Sequence, residues 1–281
     1  MTTSALTVEA ASAFDGILSI VKRELRANRN RFLSWTIPLG LLVFMALSMF
    51  PEMAKQGLID AKLKAMPEAL RTAMGFGKIN LNEAMGFYGS AISLYVTLVG
   101  GMFAALLGAN ALAKEESERT AEFLLTKPVS RGAIVVGKAG AVIAYVVLFN
   151  LVMTLVSYLA LEAYASGQYA MDTFLAVSVA HLLIVATLAA LGFFASALLS
   201  RSRSVLPIAM GGVLGTYLLG VFSQISDGMA VLGWFSPFQY AASADIVEAG
   251  GLPAGALALF VLTVGGFVGA YWLYGRKDIT A

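Results

Sequence analysis

Apolar residues fall along this chain in six long stretches, at 32–50, 90–113, 134–161, 174–199, 205–225 and 253–274. Each is near the ~20 residues that a helix needs to cross a hydrocarbon layer of ~30 Å. Pro38 and Pro207 fall in the first turns of the first and fifth stretches, where a missing N–H costs little. Ahead of the first stretch, Phe14, Ile17, Leu18, Val21 and Leu25 recur at helical spacing, while Lys22, Arg23, Arg26 and Arg29 lie mostly on other faces. This pattern predicts a basic amphipathic helix over 14–31 lying in the membrane surface; a cytoplasmic extension of the first span would read the same way. The pattern as a whole predicts an all-α integral membrane bundle of six transmembrane helices. An amino-terminal segment, 1–31, precedes a six-span domain, 32–281. The connection 51–89 is long and predicts a short helix around 54–66.

Charge then orients the bundle. Lys22, Arg23, Arg26, Arg29 and Arg31 precede span one; Lys114, Arg119, Lys127, Arg131 and Lys138 lie around the connection from span two to span three. Arg201 and Arg203 separate spans four and five, and Arg276 and Lys277 follow span six. The connections 162–173 and 226–252 carry acids but no Lys or Arg. Basic residues concentrate on the cytoplasmic side of membrane proteins, so both termini are expected there, in a multi-pass plasma-membrane protein. The exception is 51–89, which mixes five basic with four acidic residues and is read as an external cap.

Composition agrees with a lipid solvent. The chain has 281 residues, 59% hydrophobic and only 13% charged, against roughly 25% charged in soluble domains. Cys is absent, which removes disulfides and cysteine metal sites. A net charge of +2 gives no basis for nucleic-acid binding.

Little in the chain has the form of catalytic machinery, so it is not expected to be an enzyme. The run from Gly132 to Ala139 matches G-x-x-x-x-G-K, but Ala139 stands where Ser or Thr would hold magnesium, and no strand precedes it. Lys138 is expected to snorkel from the end of span three. Ser178 and His181, the sole histidine, share a helical face; without a nucleophile turn or oxyanion hole they read better as helix–helix hydrogen-bonding groups than as a protease pair. Asn150, Ser178, His181, Thr216 and Gln224 are polar positions that either line a path or bond helices together. No span has an acidic centre, which disfavours an ion-driven carrier. Gly211 and Gly215 form a small-xxx-small pair suited to close helix contact.

The stretch from Lys114 to Lys138 is the most informative. Glu115, Glu116, Glu118 and Glu122 alternate with Lys114, Arg119, Lys127 and Arg131. Thr120 can cap a short helix that Pro128 stops. Phe123, Leu124 and Leu125 form an apolar ridge between charged flanks, suited to a groove on a partner or to packing on the chain itself.

These residues resemble those of the permease subunits of type-2 ATP-binding cassette (ABC) transporters. The likeness rests on the acidic pair Glu115-Glu116, on Glu122 followed by Leu124-Leu125 and Pro128-Val129-Ser130-Arg131, and on Gly137-Lys138. Ser236-Pro237-Phe238 before span six and Arg276-Lys277-Asp278 after it add weaker echoes. The resemblance implies that 115–131 holds a coupling helix docking on a separate ABC ATPase through Glu115, Arg119, Thr120, Glu122, Phe123, Leu124, Pro128 and Arg131. It implies that 14–31, with Lys22, Arg23 and Arg26, is the connecting helix, and that two permeases pair with two ATPases. Gly211 and Gly215 would then lie at the interface with the second copy. This chain would hold no cofactor, and ATP and Mg would belong to the ATPase. The implied function is export of an amphipathic or hydrophobic cargo; the rivals are a secondary carrier or channel and a non-transporting membrane scaffold.

Overall fold

The computed structural model describes residues 3–68, 71, 76, 79–117, 130–198 and 205–276. They form α1 (Thr3–Lys55), α2 (Leu58–Ala65), α3 (Ala84–Phe87), α4 (Ser93–Ser117), α5 (Arg131–Ala165), α6 (Met171–Leu198), α7 (Val205–Ser223), α8 (Ser243–Ala249) and α9 (Gly255–Arg276). Among the described residues there is no strand, and six helices are long and apolar enough to cross a membrane. The chain is an all-α membrane bundle, and all six apolar stretches fall on these helices.

Small residues set the packing. A Cβ on Gly108 would stand 2.2 Å from the Ala189 carbonyl oxygen, and one on Gly192 would stand 2.4 Å from that of Ala105. The backbones of α4 and α6 therefore touch, which only glycine permits at these two positions. Phe103, Leu112, Phe193 and Ala189 are fully buried around this seam. On its other side α6 meets α9, where Thr187 Oγ1 donates to the Leu259 carbonyl at 3.1 Å and lies 3.0 Å from Thr263 Oγ1.

The helices α1 and α5 run parallel, side by side. Ile20 packs on Gly137, Val21 on Gly140 and Phe32 on Tyr145, and Gly40 faces Met153 and Val156. Further along, Phe44 meets Tyr164. This register corrects the expectation of a separate in-plane helix over 14–31. No break divides that segment from the first span, and α1 is one helix of 53 residues. The apolar stripe that suits a lipid surface is instead partly taken by α5: Ile20 is buried there and Leu25 packs on the core. Pro38 is correspondingly not in a first turn; it lies inside α1, as does Pro51.

Beyond α1 the chain turns at Gly57, whose φ of 65° favours glycine, and enters α2, close to the short helix expected there. Span two starts earlier than its apolar run implied. It begins with α3 and passes through a π-helical turn at Tyr88–Ile92 into α4. Ser93 Oγ donates to the Tyr88 carbonyl, five residues back, at 3.0 Å, which satisfies an acceptor that the widened turn displaces. Between α7 and α9 the chain forms 3-10 turns at Asp227–Phe235 and Pro237–Gln239, then α8. This segment folds back on the end of α7 through Gln239, whose Nε2 donates to the Gly220 carbonyl at 3.0 Å.

Candidate coupling site and polar core

The charged segment predicted to dock a partner lies in sequence between α4 and α5. Arg119, Thr120, Glu122, Phe123, Leu124 and Pro128 lie outside the described residues. Glu115 is on the last turns of α4. The segment's far edge is sharply defined: Ser130 has extended backbone, and its hydroxyl accepts the Ala133 N–H at 3.2 Å. Serine in this position satisfies one of the orphan donors at the helix start. Arg131 is then the first residue of α5, with its side chain exposed.

Both edges of the segment are tied to α1 by one lysine. Lys138 Nζ donates to the Ala111 carbonyl of α4 at 2.6 Å and to Glu24 Oε1 of α1 at 3.2 Å. The side chains of Lys138 and Glu24 are 3% and 17% exposed. An unpaired ammonium at that depth would cost several kcal/mol in lost hydration, so the carboxylate and the carbonyl set its position. Arg23 also meets Glu24 Oε1 at 3.0 Å, and Asn28 Nδ2 donates to the Glu24 carbonyl at 3.1 Å. Two turns further along α5, the Tyr145 hydroxyl donates to the Leu25 carbonyl. The expectation that Lys138 snorkels to the surface is corrected. Its side chain is buried, and its ammonium ends on Glu24 and Ala111 inside the bundle. The glycines of the G-x-x-x-x-G-K match are helical, and Gly137 presses on α1, so this stretch makes no phosphate-cradling loop.

Sequence reasoning overlooked Glu24. The available signal was its sign: it is the one acid among five basic residues between Lys22 and Arg31. Lys22 and Arg26, on the same stretch of α1, are exposed, and Arg23 is about half exposed.

The polar residues inside the spans differ in what they bond. His181 Nε2 lies 2.8 Å from Ser93 Oγ, joining α6 to α4. Ser178 instead donates to the Phe174 carbonyl of its own helix at 2.9 Å, so the two do not form a nucleophile–base pair. Thr216 donates back to Gly212 and Val213 in α7. Gln224 Nε2 donates to Gln239 Oε1 at 3.0 Å, pinning the fold-back segment. Asn150 is buried on α5. Near Gln224 and Gln239, Ser90, Ser93 and Thr97 of span two and Tyr217 of α7 line a cavity of about 110 Å³.

Gly211 and Gly215 have no neighbouring atom within 4 Å of where a Cβ would stand. With exposed Leu214 and Leu218 they leave a face of α7 that none of the described residues covers.

A family model described as ABC-2 family transporter protein matches residues 18–279. A search of curated proteins finds no match.

Proposed function

Because this chain belongs to the ABC-2 transporter family, and so is a multi-pass membrane permease whose family implies an ABC ATPase partner, we propose that it serves an ATP-driven exporter. The cargo is amphipathic or hydrophobic and leaves from the cytoplasm or inner leaflet. Both termini are cytoplasmic in this reading, which the distribution of basic residues supports. The segment 115–131 docks on the ATPase, with Glu122 and the ridge Phe123-Leu124 in its groove and Arg119 and Arg131 at the rim. ATP and Mg bind to that subunit. Two copies of the chain pair through the open glycine face of α7, each served by one ATPase.

The observation that carries this reading is the Lys138 junction. A load on the docking segment enters the bundle through the ends of α4 and α5, and Lys138 holds both to α1 through Ala111 and Glu24. A push there moves three helices together, which is what coupling a remote hydrolysis step to a pathway demands. Closure of the paired ATPases on ATP then tilts spans two and five and opens the outward path.

The test is co-purification with the ATP-binding subunit. Glu122→Arg combined with Phe123→Ala is expected to abolish that association while leaving membrane insertion and the thermal transition of the permease unchanged. Full ATPase binding by the double variant would remove the docking assignment. Uphill flux by the purified chain alone in liposomes would favour the carrier reading instead.

A further inference from the structure

A second cavity, of about 410 Å³, lies far from the coupling junction, at the opposite end of α1. Its walls are Met49 and Met53 of α1, Ile59 and Leu63 of α2, and Ile92 and Tyr95 of span two. The volume is many times the ~30 Å³ share of a liquid water, yet the walls offer almost no partner for water, and apolar cavities of this kind stay dry and take apolar guests. Two of the walls are membrane-spanning helices. Met49 is 56% and Tyr95 45% exposed, so the cavity opens sideways onto the face where lipid stands. Three methionines, Met49, Met53 and Met66, contribute to the lining, and their unbranched, polarizable side chains adapt to a flexible guest.

Among the described residues, one charged residue lines the cavity, Lys62 of α2. It is exposed and has no carboxylate partner among the described residues. Its neighbours differ: Lys55 is paired with Glu52, and Asp60 accepts from Asn82. An ammonium with no carboxylate partner among the described residues, at the mouth of an apolar slot, matches a molecule with a hydrocarbon tail and an anionic head.

We propose that this cavity holds one acyl chain of an anionic membrane phospholipid, with the phosphate paired to Lys62. Such a lipid would wedge α2 against the ends of α1 and span two and would brace that end of the bundle. The proposal does not depend on the coupling mechanism.

The test uses the full chain in nanodiscs of phosphatidylcholine containing phosphatidylglycerol. A trace of phosphatidylglycerol carrying a diazirine at its acyl terminus is the probe, and cross-links are mapped by mass spectrometry. Labelling is expected to concentrate on Met49, Met53, Ile92 and Tyr95, in excess over exposed positions elsewhere such as Leu151 and Leu257. Filling the slot with Ala46→Trp, or Ala91→Leu where the first variant fails to fold, should remove that excess. Lys62→Glu should weaken labelling by the phosphatidylglycerol probe about fivefold, the effect of one basic residue at an anionic surface. It should spare labelling by the same probe on phosphatidylcholine. Labelling spread evenly over the lipid-facing surface, or unchanged in a folded slot-filling variant, would overturn the proposal; it would mean a loose lipid belt only. Equal losses for both probes in Lys62→Glu would overturn the headgroup pairing. None of these outcomes bears on ATPase docking.

Discussion

At the scale of single residues, the energetics centre on charge in a place that lacks water. Lys138 is held by a carboxylate and a carbonyl from two other helices, and each of these three groups is costly without the others. Glu24→Leu and Lys138→Met should each lower the thermal transition of the purified chain, while the double variant should lose less than the two combined. A double-mutant cycle on unfolding should return a coupling of ~1–3 kcal/mol; additive losses would show that the pair only coexists. His181 sits in a lesser version of the same situation: its bond to Ser93 joins α6 and α4. Spacing on one helix was enough to suggest a Ser178–His181 pair, but a hydroxyl three residues away on a helix has a nearer acceptor in its own backbone, and Ser178 uses it.

At the scale of elements, close approach decides which glycines matter. Gly108→Val and Gly192→Val would each drive a side chain into a facing backbone carbonyl, which cannot yield as a flexible side chain does. Each is expected to destabilise the bundle by ~1–3 kcal/mol or more, read as a lower unfolding temperature in detergent. Gly212→Val, with open space around it, is the control and should leave that temperature nearly unchanged. The six spans were legible in the sequence because hydrophobic length is a local property that the bilayer reads directly. The partner of each face was not. Ile17, Ile20, Val21 and Leu25 make a stripe that satisfies a lipid surface and a neighbouring helix equally well, and only the tertiary register gives Ile20 and Val21 to Gly137 and Gly140. The π-helical turn at Tyr88 left no trace in the pattern either, since one extra residue per turn does not disturb an apolar run. The coupling segment was the reverse case: its residues were conspicuous in sequence through their charge alternation and the Pro-Val-Ser-Arg stop, while the Ser130 cap of α5 was not singled out.

At the scale of the whole molecule, the bundle is unevenly finished. The α4–α6 seam is closed, while α7 presents Gly211, Gly215, Leu214 and Leu218 outward with none of the described residues against them. Pairing of two copies across this face makes a direct prediction, helped by the absence of any native cysteine. Gly211→Cys should give an oxidant-dependent disulfide dimer in membranes, since such a bond needs Cα atoms within ~7 Å. Leu257→Cys on α9 should give none. A monomer only from Gly211→Cys would reject the face as a self-contact.

The unbroken course of α1 has one more consequence. From Phe14 to Lys55 it runs 42 residues, about 63 Å at 1.5 Å per residue, twice the thickness of a hydrocarbon layer. A single strut thus reaches from Glu24 to the methionines at its far end, passing right through the sheet of lipid. Pro38 sits between them and deprives the Ser34 carbonyl of its usual backbone donor. The strut is therefore most pliable near its middle, and its two halves can swivel about that turn while each stays clasped to α5.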